Sequence, residues 1–117
     1  MISGISANLA ALSALAKKVE SSANNVANIN TDSFKKTRVL LEEETPQGVT
    51  ARVEKINDPG AMVYEQTPAG ETLVEQSNVE LTEELPNLLL TKRFFEANLK
   101  TIKTQDEMLG SLLDIKG

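Results

Sequence analysis

The chain has 117 residues, a formal net charge of −5, no cysteine, no histidine and only 3% aromatic residues. This length allows one small domain, and the composition excludes disulfides, thiol catalysis and an ordinary histidine-containing zinc site. A hydrophobic content of 40% suffices for folding, but the scarcity of aromatic residues predicts a thin core that needs partners to be stable.

The acidic residues are concentrated in the middle of the chain. Between Val39 and Leu90 there are eleven acidic and two basic residues, whereas the two ends together carry a charge of +4. Nucleic-acid binding requires a basic face that replaces counterions on phosphate, so this layout argues against it. We also expect no membrane insertion, because no stretch approaches the roughly 20 apolar residues of a membrane span.

The N-terminal segment has the apolar spacing of a helix. Apolar residues recur at alternating steps of three and four, which predicts a helix from Ile2 to Asn28, roughly 40 Å long. A single helix cannot cover such a row, so a partner helix is required. The segment is amphipathic and lacks a basic start, so we expect no cleaved signal peptide. The residues of this row that we assign to an assembly seam are Ile5, Leu9, Leu12, Val19 and Val26.

A second heptad row predicts a C-terminal helix. Ser77 and Glu80 have the spacing of a capping box, which places the helix start there. Pro86 predicts either a kink or a start displaced to Leu85. Lys92 and Asp106 interrupt the row, and such polar residues can fix the register of a helix pair. The seam residues on this helix are Leu85, Leu88, Phe95, Leu99, Ile102, Leu109 and Leu113.

The middle of the chain has short alternating stretches that favour strands. Residues 39–54 predict a β-hairpin around a polar turn that contains proline and glycine. Residues 57–60 read NDPG and predict another turn, residues 62–64 an extended piece, and Leu73 with Val74 a third strand. The predicted fold is α+β and mainly α, with long terminal helices that form an antiparallel coiled-coil-like pair. Residues 1–30 and 77–117 form one helical domain, and residues 31–76 form a small acidic β insertion.

Four asparagines lie within seven residues at the end of the first helix. Asparagine side chains bond nearby backbone groups and tolerate left-handed conformation, so this segment predicts a helix stop and an ordered turn. The predicted turn motif comprises Asn24, Asn25, Asn28, Asn30, Thr31 and Phe34.

Two stretches carry a family resemblance. ANNVANINTDSFK resembles the ANN-(I/V)-AN-(V/I)-NT-x-G-F-K signature near the start of bacterial flagellar rod and hook proteins, with Ser33 where many members have glycine. SNVELTEELPNLLLTKRFFEANLKTIKTQDEMLGSLLDI resembles their C-terminal segment. The resemblance implies a small rod-type subunit of the basal body that assembles through its terminal helices with other rod and hook proteins. It also implies export through the flagellar type III apparatus.

The sequence does not favour an enzyme. Neighbouring carboxylates such as Glu83 and Glu84 are typical of a solvated helix face, no histidine can activate a hydroxyl, and no phosphate-binding glycine loop occurs. We therefore expect no catalytic residue, metal or cofactor. The alternative to a rod subunit is a soluble coiled-coil adaptor, or a binding module like an export chaperone, that uses its seams on another protein.

Overall fold

The computed structural model describes residues 2–45 and 47–116, so Met1, Gly117 and Pro46 of the predicted hairpin turn lie outside the described residues. The described part is elongated, with extents of 80 × 24 × 19 Å. Its two long helices lie at the ends of the chain with the strands between them, which confirms the predicted fold class. The elements are α1 (Ile2–Ala27), β1 (Thr37–Glu43), β2 (Val49–Lys55), β3 (Met62–Thr67), β4 (Gly70–Glu75) and α2 (Leu81–Lys116).

The two helices pack as an antiparallel pair. Near one end Asn8 Nδ2 donates to Gln105 Oε1 at 3.0 Å, and near the other Asn25 Nδ2 donates to Glu84 Oε1 at 3.0 Å. The Gln105 side chain lies close to the α1 backbone at the first contact, because a Cβ added to Gly4 would lie 2.7 Å from Gln105 Nε2. Each end of α1 is therefore fixed on α2 by a polar pair.

The predicted hairpin forms and lies along α1. β1 and β2 are antiparallel, with Val39 opposite Val53, and both strands contact α1. The hairpin tip reaches the first half of α1, where a Cβ on Gly48 would lie 3.8 Å from the Cβ of Ala10. Val39 is the buried residue of β1, whereas Leu41, two residues further on the same side, is exposed.

The predicted third strand does not join that sheet. Leu73 and Val74 belong to β4, which pairs with β3 in a separate antiparallel hairpin. Among the described residues, β3 and β4 pack against no other strand or helix. The turn between them ends at Gly70, whose φ of 116° suits glycine.

The predicted capping box is wrong. α2 begins at Leu81, and residues 76–80 form an irregular connection to the helix, in which the Ser77 hydroxyl accepts from the backbone amide of Val79 at 3.2 Å. The start is also not displaced to Leu85, since α2 runs through Pro86. Lys92 and Asp106 are exposed, so the predicted register role falls to the two polar pairs described above.

The core is thin. The buried hydrophobic residues of the described chain are Ala14, Leu15, Val39 and Val79. Neither described helix is long and apolar enough to cross a membrane. Such a small core agrees with the marginal stability that the composition predicts.

Candidate functional site

Asn25 is the centre of a polar junction at the C-terminal end of α1. Its side chain is 1% exposed, and Nδ2 donates both to the carbonyl oxygen of Thr37 at 2.8 Å and to Glu84 Oε1 at 3.0 Å. Oδ1 accepts from the amide of Thr37 at 3.0 Å. One side chain thus satisfies both backbone groups of the first residue of β1 and a buried carboxylate of α2.

Ser21, one turn before Asn25 on α1, reinforces the same contact. Its hydroxyl lies 3.1 Å from the carbonyl oxygen of Thr37 and 2.6 Å from the Thr37 hydroxyl. Residues four apart share a face of a helix, so Ser21 and Asn25 present their polar groups together. The start of β1 is therefore held at a fixed place on α1.

Asn78, just before α2, joins several chain segments as Asn25 does at the end of α1. Its Oδ1 accepts from the amide of Lys36 at 2.6 Å, and its Nδ2 donates to the carbonyl oxygens of Ile56 and Asp58, both at 2.9 Å. The backbone amide of Asn78 also donates to the carbonyl oxygen of Phe34 at 3.2 Å. One amide side chain thereby joins the chain before β1, the chain after β2 and the approach to α2.

The β3–β4 hairpin is attached to this junction through Glu75. The Glu75 carboxylate accepts from the ammonium group of Lys35 and from the amide of Gly60 at 3.1 Å. These bonds, that from Lys35 first, hold the pKa of Glu75 below its ordinary value. The carbonyl oxygen of Glu75 accepts from the amide of Ser33 at 2.8 Å. We call these contacts the Glu75 clasp.

Two further ion pairs border the junction. Lys36 Nζ lies 2.8 Å from Glu83 Oε2, and this hydrogen bond lowers the pKa of Glu83. Arg38 lies 2.7 Å from Glu54 across β1 and β2, and its hydrogen bond lowers the pKa of Glu54. All three carboxylates are stabilised in the charged form by a neighbouring cation.

The residues of the predicted turn motif differ in how deeply they are buried. Asn28 Nδ2 donates to the carbonyl oxygen of Asn24 at 2.8 Å and thereby closes the end of α1. The Thr31 hydroxyl donates to Asn28 Oδ1 at 3.0 Å, and the side chains of Asn24, Asn30 and Thr31 are exposed. Phe34 is half-buried. Of the four asparagines, Asn25 alone is buried between elements.

Ser33 takes the left-handed conformation, with φ of 61°, at the position where the family pattern has glycine. It is the single non-glycine residue with positive φ among the described residues. The amide of Ser33 donates to Glu75, so the Glu75 clasp depends on this conformation. Serine adopts this conformation at a cost in local strain that glycine avoids.

Sequence reasoning missed three residues of the junction, namely Ser21, Asn78 and Glu84. Asn78 lies in the second family-like stretch, so a signal for it was present. No signal separated Glu84 from Glu83, although Glu84 is 6% exposed and its neighbour lies on the surface. The distinction depends on which side of α2 faces α1.

The contacting pairs Asn8–Gln105 and Asn25–Glu84 lie on two stripes whose members are all buried or half-buried; the α1 stripe is largely polar or small, and the α2 stripe alternates polar and apolar residues. On α1 the facing stripe comprises Gly4, Asn8, Ala11, Leu15, Lys18, Ser22 and Asn25. On α2 it comprises Glu84, Leu88, Thr91, Phe95, Asn98, Ile102, Gln105 and Leu109. Both stripes keep the heptad steps of four and three, so the pair has coiled-coil-like geometry with polar groups in its interior.

The residues assigned to the assembly seam therefore fall into two groups. Half-buried positions are Ile5, Leu12, Val26, Leu88, Phe95, Ile102 and Leu109. Exposed positions are Leu9, Val19, Leu85, Leu99 and Leu113. The four α2 residues of the first group lie on the α2 stripe given above and support the pair, whereas Ile5, Leu12 and Val26 lie beside the α1 stripe. The second group leaves apolar surface uncovered on both helices.

The junction contains no arrangement suited to holding a metal ion, since no group of three histidine, cysteine or carboxylate side chains converges within the described ranges. A cleft of about 310 Å³ opens beside it, with Lys18, Lys36 and Arg38 facing Asp58, Glu83 and Glu84. The cleft therefore contains equal numbers of cationic and anionic side chains, an arrangement that suits structural ion pairing.

Residues 72–115 match the family described as flagellar basal body rod FlgEFG protein C-terminal. This match supports membership of the flagellar rod and hook protein family. The family resemblance of the sequence is thereby confirmed. The matched segment contains most of β4 and nearly all of α2.

Individual family members show the same relationship. The chain is 42% identical over 43 residues to the flagellar hook protein FlgE of Escherichia coli (strain K12), which covers 37% of the chain and 11% of that protein. It is 34% identical over 70 residues to the flagellar hook protein FlgE of Treponema pallidum (strain Nichols), covering 60% and 15%. It is 33% identical over 87 residues to the flagellar basal-body rod protein FlgG of Bacillus subtilis (strain 168), covering 74% and 31%. The chain thus spans less than a third of the length of these relatives.

Proposed function

We propose that this chain is a structural, non-catalytic subunit of the flagellar basal-body rod that self-assembles through α1 and α2 into the axial tube. The uncovered apolar surface of the helix pair is the main support for this proposal. Leu9, Leu99 and Leu113 have 56%, 48% and 71% of their surface exposed, although each belongs to a heptad row. Apolar rows left open on a helix pair mark surfaces for further helices.

The interior of the pair supports this view. Asn8, Asn25 and Gln105 occupy facing positions, where leucine would stabilise an isolated coiled coil better. Polar groups in these positions fix the register, while apolar side chains such as Leu9, Leu85 and Leu99 remain exposed on the outside of the pair. Repeated head-to-tail contacts between such surfaces build a filament or tube, as expected for a rod.

We propose as partners other copies of this chain, other rod and hook proteins, and the flagellar type III export apparatus. The matches to rod and hook proteins support those proteins as partners. The same matches, together with the thin core, support the export apparatus as a partner. A chain with four buried apolar side chains in its described part unfolds at low cost, which suits passage through a narrow export channel. Stability is then gained in the assembled rod, where the exposed rows become covered.

Leu99→Asp tests this proposal. Leu99 is about half exposed in the single chain, so the variant should keep its helix content and lose no more than about 0.5 kcal/mol of stability. In an assembled rod the same carboxylate would be buried without a partner, at a cost of several kcal/mol. We expect a folded chain that is absent from purified basal bodies.

Gln47→Asp is the matched control, because it introduces the same charge at an exposed turn residue. Basal bodies should contain this variant at the level of the unmodified chain. Equal incorporation of both variants would contradict the proposal. A chain that never copurifies with basal bodies, and that stays monodisperse at all concentrations, would instead favour the soluble adaptor.

A further inference from the structure

The β3–β4 hairpin presents an apolar face that packs against no other strand or helix of the described chain. Met62, Tyr64 and Leu73 project from the same side, since Tyr64 lies opposite Leu73 and residues two apart share a face. Their exposed fractions are 53%, 71% and 49%. Tyr64 is the single tyrosine of the chain, and tyrosine is enriched among residues that dominate interface energies.

The hairpin is also acidic. Its residues 62–75 contain three acidic residues and no basic residue. Glu71 lies on the Tyr64 face, because it is paired with Gln66, whereas Glu65 lies on the opposite face. A partner for this face should therefore be apolar with basic residues at its edge.

Such a surface occurs on α2, on a different side from the assigned seam. An uncharged row follows heptad steps of four and three, and every side chain in it is exposed. We call it the uncharged α2 row, and its members are Leu90, Phe94, Ala97, Thr101, Thr104, Met108, Ser111 and Ile115.

Two cations border the uncharged α2 row. Arg93 and Lys100 each lie three residues after one row member and four before another, which places them at its edge. Within residues 2–45 and 47–116 neither cation lies within 4 Å of a carboxylate, whereas Lys92 and Lys103 pair with acidic residues of α2. Lys100 also lines a shallow groove of about 570 Å³ on this row, together with Ala97, Thr101, Thr104, Gln105 and Met108.

We propose that the β3–β4 hairpin of one copy docks on the uncharged α2 row of a second copy, with Tyr64 in the groove and Glu71 facing Lys100. The two surfaces are complementary in charge and in apolar character. The contact is between copies because the groove begins roughly 24 Å along α2 from Leu81, and the hairpin contacts no part of its own α2. This inference rests on the proposed self-assembly and names one contact within it.

The contact joins different surfaces on the two copies. A heterologous contact of this kind leaves a free hairpin at one end and a free row at the other, so it propagates into a filament. The side of α2 that carries Leu85 and Leu99 remains available for neighbouring helices.

Engineered cysteines test the contact directly, because the chain contains none. We expect Leu73→Cys in one copy and Thr101→Cys in another to form a disulfide-linked dimer when the two full-length variants are mixed and oxidised. The control is Thr72→Cys with Thr101→Cys, since Thr72 lies on the opposite face of β4. Equal dimer yields from the two mixtures, measured on non-reducing gels, would overturn the docking model.

Association constants from sedimentation provide the second measurement. Tyr64→Ala should weaken self-association about tenfold or more, as for a central interface residue. Glu71→Lys should weaken it about threefold, and the added Lys100→Glu should restore it, whereas Lys100→Glu should not restore any loss caused by Glu65→Lys. If the chain assembles normally with Tyr64→Ala and Glu71→Lys, the hairpin contact is refuted and the proposed function stands. If the unmodified chain neither self-associates nor enters basal bodies, the proposed function itself fails.

Discussion

Replacing Asn25 with alanine removes three hydrogen bonds at once, two to the backbone of Thr37 and one to Glu84. The cost follows from burial, because Asn25 and Glu84 are 1% and 6% exposed and water cannot replace the lost partners without opening the junction. Each neutral bond contributes about 1 kcal/mol, and a buried carboxylate that loses its donor costs more. We expect a total loss of about 3–5 kcal/mol. Most of the stability of a small domain would then be gone.

Urea denaturation followed by circular dichroism measures this loss. Asn30→Ala is the matched control, because Asn30 belongs to the same asparagine-rich segment and is exposed, so its loss should stay within about 0.5 kcal/mol. A double-mutant cycle with Glu84→Gln isolates the contact between Asn25 and Glu84. Equal unfolding free energies for Asn25→Ala and Asn30→Ala would refute the reasoning that the junction depends on one buried amide.

Three further changes test the surroundings of the junction. Ser33→Gly should stabilise the chain by about 0.5–1 kcal/mol in urea denaturation, because glycine adopts the φ of 61° without strain; a loss of stability would contradict this. Gly60→Ala should release the β3–β4 hairpin, measured as faster amide exchange there, because a Cβ would overlap the carbonyl oxygen of Gln76; unchanged exchange would count against it. The lowered pKa values of Glu75 and Glu83 mean that their contribution to stability is present above the ordinary value of 4.5 and is lost as pH falls below it. The urea concentration at the unfolding midpoint should therefore decrease as the pH falls below 4.5. The decrease should be smaller in Glu75→Gln.

The sequence predicts the helices well because their signal is local. Heptad steps and the asparagine-rich stop placed α1 at residues 2–28, and the structure ends it at Ala27. The start of α2 was predicted four residues too early, since Ser77 and Glu80 have capping-box spacing. Asn78 is instead engaged with Lys36, Ile56 and Asp58, and these distant bonds keep the chain extended up to Leu81. Local spacing could not reveal them.

The faces of the helices were harder to predict than the helices themselves. A row such as Leu9, Leu12 and Val19 is the most apolar one on α1, and apolar residues ordinarily mark the side that meets the partner. In the structure Leu15 and Asn25 lie on the facing side, while Leu9 is more than half exposed. The rule fails on α1 because the polar contacts Asn8–Gln105 and Asn25–Glu84 set the orientation. Their partners are distant in sequence, so no window of the chain contains both.

The polar contacts that fix the helix register and the thin core together leave the single chain with a defined shape and little stability. Hydrogen-bonded pairs orient α1 on α2 at little net gain in free energy, because each bond replaces one made with water. The apolar side chains that would contribute more, among them Leu85, Leu99 and Leu113, remain exposed. The chain therefore has a defined shape with little stability of its own, and covering those side chains is the largest source of free energy still available to it. The proposed rod subunit would use this distribution, since its shape is specified before contact and its stability is gained on contact.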